Sequence, residues 1–75
     1  MSRFSDELAA RIEQLLPAPD QPHVPPIDIY RAVDIGAIGT TRHILRKIEA
    51  AGRAQSVIVA GRNGKPSRHY RRAMA

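Results

Sequence analysis

The sequence predicts a small α+β domain that is mainly helical, with three helices followed by a C-terminal β-hairpin. Apolar residues recur at helical spacing in the first 51 residues, and after Gly52 the pattern changes to strand-like alternation. The length of 75 residues allows one domain with a small core, which we expect to span residues 1–75.

The composition excludes several classes of protein. Hydrophobic residues make up 43% and charged residues 25%, which is typical of a globular chain rather than a disordered one. The absence of cysteine excludes a disulfide framework and thiolate zinc sites. No apolar run reaches the roughly 20 residues of a membrane helix, and the first residues lack the apolar stretch of a signal peptide. We therefore expect a cytoplasmic protein that does not contact membranes.

The first helix is predicted over residues 5–16. Ser5 is a suitable N-cap, and Pro17 ends the helix. Its apolar face is expected to carry Leu8, Ile12, Leu15 and Leu16. Residues 17–26 then contain five of the six prolines, which predicts a stiff, extended connector with room for one short edge strand around His23 and Val24.

A short second helix is predicted over residues 27–35, with Pro26 at its first position. Gly36 is expected to end it in a left-handed conformation. Residues 36–39 are too short for an element and predict a tight turn with Ile38 as a buried anchor. The apolar side of the second helix comprises Ile29, Ala32 and Val33.

The third helix is predicted over residues 40–51, with Thr40 as its cap and Gly52 just after its end. One face is an apolar stripe of Thr41, Ile44, Leu45 and Ile48. The opposite, mostly basic face carries Thr40, Arg42, His43, Arg46 and Lys47.

A hairpin is predicted over residues 54–73. The run from Ala54 to Ala60 is rich in β-branched residues, and Asn63-Gly64 is a strong turn signal. The second strand is expected over residues 68–73, with Tyr70 facing inward.

The charges are divided between the two halves of the chain. Residues 1–37 contain three basic and six acidic residues, whereas residues 38–75 contain nine basic residues and one acidic residue, Glu49. Arginine outnumbers lysine ten to two, and its planar fork suits phosphates and guanine edges. This segregation indicates a polyanionic partner on one side of the molecule.

The order of elements and the charge asymmetry resemble a winged helix-turn-helix domain. Residues 27–33 are similar to the scaffold helix, residues 40–52 to the recognition helix and residues 61–70 to the basic wing. The family usually has an apolar residue where this chain has Thr41, and again where it has Ala54.

The resemblance implies that the recognition helix enters the major groove of DNA and that the wing contacts phosphates or the minor groove. Contacts from the recognition helix would then come from Thr40, Arg42, His43, Arg46 and Lys47. Contacts from the wing would come from Arg62, Asn63, Lys65 and Arg68.

We therefore predict sequence-specific binding to double-stranded DNA, typical of a small transcriptional regulator. The alternative is an RNA-binding or structural nucleoprotein component that uses the same basic face. Pro66 leaves room for a variant that binds a left-handed duplex through a proline of the wing.

Other partners follow from the rest of the chain. The acidic face of the first helix, with Asp6, Glu7 and Glu13, is a candidate contact for a partner protein. No helix is left over for a dimer interface, so we expect a monomer or a weak dimer.

No catalytic constellation or nucleotide-binding loop is present, and the three histidines are spaced too widely for a metal signature. We expect no enzyme activity, cofactor or metal.

Overall fold

The computed structural model describes residues 3–34, 36–61 and 63–74, with side chains from Asp6 onward. Its elements are α1 (Arg3–Leu15), α2 (Pro26–Val33), α3 (Ile38–Ala50), β1 (Ala54–Ala60) and β2 (Pro66–Arg72). This order confirms the predicted fold class of three helices followed by an antiparallel hairpin. Within the described ranges, no helix is long and apolar enough to cross a bilayer.

The three helices and the base of the hairpin enclose one apolar core. Its buried residues are Leu8, Ile12, Leu16, Ile29, Val33, Ile44, Leu45, Ile48, Ala54 and Tyr70. The predicted stripe of α3 is confirmed, because all four of its residues are buried.

Two residues predicted on apolar faces lie outside the core. Leu15 is 40% exposed, because α1 ends there and Leu16 turns into the core instead. Ala32 is exposed, because the short helix α2 contacts the core along a narrow line through Ile29 and Val33.

The predicted helix starts are wrong at two positions. The helix α1 begins at Arg3, so Ser5 lies within its first turn rather than at its cap. The helix α3 begins at Ile38, and Thr40 is its third residue, with its N–H donating to the carbonyl of Ala37 at 3.0 Å. Ala37 is the cap residue and makes no side-chain hydrogen bond. Ile38 is therefore half-buried in the first turn of α3 and is not an anchor in a separate loop.

The helix ends follow the expected chemistry more closely. The helix α2 ends at Val33, two residues before its predicted end, and the left-handed residue that caps it is Asp34 (φ 54°) instead of Gly36. The Asp34 N–H donates to the carbonyl of Tyr30 at 2.8 Å, and Gly36, two residues later, is also left-handed (φ 75°). At the end of α3, Gly52 has φ 79° as predicted. Its N–H donates to the carbonyl of Glu49, and the next N–H donates to that of Ile48, which is a Schellman motif.

The hairpin is closed by a five-residue connection, residues 61–65. The Gly61 N–H donates to the Lys65 carbonyl at 2.8 Å, and the left-handed residue is Gly64 (φ 75°). Strand β2 begins at Pro66, two residues earlier than predicted. Its first residue tolerates proline because the missing N–H would point away from β1.

The proline-rich connector forms a single β-bridge at Val24, where a short edge strand was predicted. Val24 and Tyr70 exchange two backbone hydrogen bonds, of 2.8 and 2.7 Å, as an isolated antiparallel bridge. Tyr70 is 2% exposed, which confirms its inward position. Val24, β2 and β1 thus lie side by side in that order.

Thr41 is fully buried, yet its hydroxyl has no hydrogen-bond partner among the described residues. An unsatisfied buried hydroxyl costs about 1–3 kcal/mol.

We expect Thr41→Val, which keeps the shape of the side chain, to raise the free energy of unfolding by about 1 kcal/mol in urea denaturation. The matched change at the exposed neighbour, Thr40→Val, should stay within about 0.5 kcal/mol. A loss of stability in Thr41→Val would mean that the hydroxyl is satisfied in solution.

Candidate nucleic-acid interface

The outer face of α3 is a continuous polar and basic surface. All five predicted contact residues, Thr40, Arg42, His43, Arg46 and Lys47, are exposed on it. Arg42 and Arg46 lie one turn apart, about 6 Å along the helix axis, and His43 and Lys47 repeat this spacing beside them. The helix therefore presents two parallel rows of hydrogen-bond donors.

A groove separates this face of α3 from the hairpin. It has a volume of about 380 Å³, and its walls carry Arg42 and Arg46 from α3 and Arg68 from β2. The remaining lining residues are Pro26, Ile58, Pro66, Ser67 and Tyr70. The structure thus brings together three arginines from two of the predicted contact segments.

Arg68 is tied to α3 by a small network. Its Nη1 lies 3.6 Å from a carboxylate oxygen of Glu49 and donates to the Ser56 hydroxyl at 2.9 Å. The Ser56 hydroxyl in turn donates to the Glu49 carboxylate. The Arg68 and Glu49 side chains are 47% and 31% exposed, so this pair contributes little to stability after solvent screening. The network instead holds the Arg68 guanidinium in a fixed position beside α3.

Tyr70 lines the same groove from the core side. Burial raises the pKa of its hydroxyl, and the nearby Glu49 carboxylate adds to this, while Arg68 and Arg46 act in the opposite direction. The Tyr70 hydroxyl is therefore influenced by charged residues of both α3 and β2, although the residue is buried.

The hairpin connection carries the remaining predicted contacts. Asn63 and Lys65 are exposed, and Arg62 lies outside the described residues. The connection is narrow at its base, because a Cβ on Gly61 would lie 2.9 Å from the Lys65 carbonyl oxygen. This close approach fixes the backbone from which the Lys65 side chain projects.

Three basic residues of the second half contact the first half of the chain. Arg53 pairs with Glu13 at 3.4 Å, and Arg71 donates to the Gln21 carbonyl at 3.2 Å. Arg72 donates to the carbonyls of Glu13 and Gln14, at 3.3 and 2.8 Å. It thereby places a positive charge at the end of α1, which has no basic residue in its own last turn.

A larger groove, of about 510 Å³, lies between α1 and the end of β2. Its charged lining residues are Glu13, Arg53 and Arg72, which are the residues of the contacts just described. All three of these charges have partners, whereas the groove beside α3 is also lined by the exposed Arg42 and Arg46. The groove beside α3 is therefore the better candidate for an anionic ligand.

His23 and the acidic residues of α1 do not line the groove beside α3. The pKa of His23 is lowered by burial and by coulombic interaction with Arg71 and His69. On α1, Asp6 and Glu7 are exposed, whereas Glu13 is half-buried against Arg53. The acidic surface predicted for a partner protein is thus smaller than the sequence implied.

The apolar and neutral part of the site was not predicted from the sequence. Ile58 and Ser67 line the groove with the arginines, as does Pro26 from the start of α2. The signal for Ile58 was the strand register, since Ile58 lies directly opposite Arg68. The position of Pro26 depends on how the connector folds back, which has no local sequence signal.

Comparisons with models of protein families, with curated proteins and with solved structures found no match to this chain.

The two roles of the arginines can be separated by stability measurements. Arg72→Ala removes hydrogen bonds from a charged donor to two carbonyls, and because these bonds are exposed to solvent we expect it to lower the free energy of unfolding by about 0.5–1.5 kcal/mol. The matched change Arg42→Ala removes an exposed side chain of α3 and should change stability by less than about 0.5 kcal/mol. Equal losses in urea denaturation would contradict this division.

Proposed function

We propose that this protein binds double-stranded DNA as a small transcriptional regulator of the winged helix-turn-helix type. The observation that carries the proposal is the groove in which Arg42 and Arg46 of α3 meet Arg68 of the hairpin. Basic side chains from a helix and from an adjoining hairpin can then contact the same ligand. Duplex DNA suits such a site because it offers a groove for the helix and a phosphate backbone for the hairpin. The proposed site of action is the cytoplasm, on the nucleoid when the protein is bound.

The dimensions of α3 suit the role of the recognition helix. Its 13 residues extend over about 20 Å, and a helix of about 10–12 Å diameter fits the major groove, which is about 12 Å wide. Arg42 and Arg46 can each reach a guanine edge with two hydrogen bonds, worth about 1–3 kcal/mol of discrimination. Thr40, His43 and Lys47 extend the contact along the same face.

The hairpin then serves as the wing. Asn63 and Lys65 project from the connection between the strands, and Arg62 belongs to the same segment of the sequence. In this arrangement Arg68 contacts a phosphate next to the recognition helix while Glu49 fixes its orientation. These contacts supply affinity that does not depend on sequence, and they make binding sensitive to salt.

Double-stranded DNA is favoured over single-stranded nucleic acid by the side chains of the site. Single-strand binders stack bases on several aromatic rings. The chain has three aromatic residues, and Tyr70, which lines the groove, is 2% exposed. The donors of the site are suited to groove edges and phosphates instead.

Selection from a random-sequence duplex pool tests this proposal. The protein is incubated with the pool and with a structured RNA competitor at about 50 and about 200 mM salt. We expect a shared DNA motif that survives the higher salt concentration. Preferential retention of the RNA, or a loss of binding at the higher salt without any motif, would contradict the proposal.

Alanine variants then separate base contacts from phosphate contacts. Arg42→Ala should relax specificity at one base pair, with a loss of about 1–3 kcal/mol on the selected site. Lys65→Ala should weaken all duplexes alike and reduce the slope of log K against log salt by about 0.9. Arg11→Ala, on the exposed face of α1, removes the same charge away from the site and is the control. If Arg11→Ala weakens binding as much as Arg42→Ala, net charge rather than the site governs binding.

A further inference from the structure

Strand β1 is an edge strand with an exposed apolar centre. It pairs with β2 on one side, and on its other side no described residue forms a backbone hydrogen bond with it. Val57, Ile58 and Val59 are 41%, 59% and 38% exposed. An edge of this kind is a template for another strand, and proteins usually protect such edges with charge, proline or a bulge.

The register shows which backbone groups are free. The N–H and C=O of Tyr70 bond to Val24 and thus point away from β1, so Tyr70 and Ser56 form a non-hydrogen-bonded pair. By alternation, the N–H and C=O groups of Ser56, Ile58 and Ala60 point outward from the free edge. Three residues at a spacing of two are the pattern that an antiparallel partner strand requires.

The side chains of β1 make this edge complementary to itself. Val57 and Val59 flank Ile58 symmetrically, so an antiparallel copy centred on Ile58 places each valine opposite the other. Residues 54–61 carry no charge and are the longest uncharged stretch of the basic half. A second copy can therefore approach here without bringing cations of β1 face to face.

We infer that β1 is a homodimerisation edge, with two copies pairing antiparallel through Ile58. Ser56 then pairs with Ala60 of the second copy, and six backbone hydrogen bonds form in two-fold symmetry, two for each outward-facing residue. The paired strands join the two hairpins into one continuous sheet, and four valines meet on its outer surface.

We assign a second copy of this chain as the partner of the β1 edge, because the size of the edge suits a weak symmetric contact. One strand of seven residues offers much less than the roughly 800 Å² per partner of a standard interface. The free protein is then mostly monomeric at low concentration. Two adjacent DNA half-sites would raise the effective concentration of one copy beside the other.

The symmetry also has a consequence for the proposed function. The two-fold axis is perpendicular to the joined sheet, so both copies of α3 lie on the same side of it. That arrangement corresponds to an inverted repeat in the DNA. The dimer itself does not depend on DNA binding, and only the statements about DNA half-sites and the inverted repeat rest on the proposed function.

Cysteine cross-linking without DNA tests the inference, since the chain has no cysteine of its own. In the inferred register, position 58 faces itself with Cα atoms about 5.5 Å apart, within the range of a disulfide. Position 55 is about 20 Å from its own copy. We expect Ile58→Cys to form covalent dimers at least about ten-fold faster than Gln55→Cys under copper–phenanthroline oxidation. Both positions are exposed, so random collisions affect them alike.

Sedimentation equilibrium of the cysteine-free chain supplies a second measurement. Val57→Lys places a charge at the centre of the edge, and Gln55→Lys places the same charge on the same face of β1 near its start. We expect concentration-dependent dimerisation that Val57→Lys abolishes and Gln55→Lys retains. Equal cross-linking rates at positions 55 and 58, or a chain that stays monomeric at millimolar concentration, would overturn the inference. A DNA-binding failure with selective cross-linking would instead contradict only the proposed function.

Discussion

The arrangement of this protein depends on the double contact made by Tyr70. Its backbone pairs with Val24 of the connector, and its side chain, 2% exposed, packs into the core between the helices. On its other side β2 pairs with β1, so one residue joins the connector, the hairpin and the helices. The hairpin cannot swing away from α3 without exposing this ring and breaking two backbone hydrogen bonds. Arg68, two residues earlier on the same strand face, is thereby held beside Arg42 and Arg46.

This constraint divides the basic residues into two groups with different roles. Arg53, Arg71 and Arg72 contact Glu13 or backbone carbonyls of α1 and the connector, and they link the base of the hairpin to the first half of the chain. The residues on α3 and the hairpin connection remain exposed. The charge segregation seen in the sequence therefore serves both the assembly of the fold and the surface that we propose binds DNA. Net charge alone does not distinguish these roles.

The fold was predictable because its signals are local. The apolar stripe of α3, the glycine after it and the strand alternation each depend on residues close in sequence, whereas the bridge between Val24 and Tyr70 joins distant parts of the chain. The helix starts were not predictable from capping residues. In α3 the first turn begins at Ile38, so Thr40 lies inside the helix instead of at its start.

The exposed face of α3 was predicted in full, whereas the groove was not, because it depends on how Pro26 and the hairpin approach α3. The partners of Arg71 and Arg72 lie 50 to 59 positions away, beyond the reach of any local pattern.

The central claim is that α3 and the hairpin form one binding surface held in place by Tyr70. Mapping of amide chemical shifts by NMR, during titration with a DNA duplex at low salt, tests it most directly. We expect the amides of residues 40–47 and 63–68 to shift together at the same DNA concentrations, while those of α1 stay unchanged. Shifts confined to the hairpin, or shifts centred on the acidic face of α1, would contradict it.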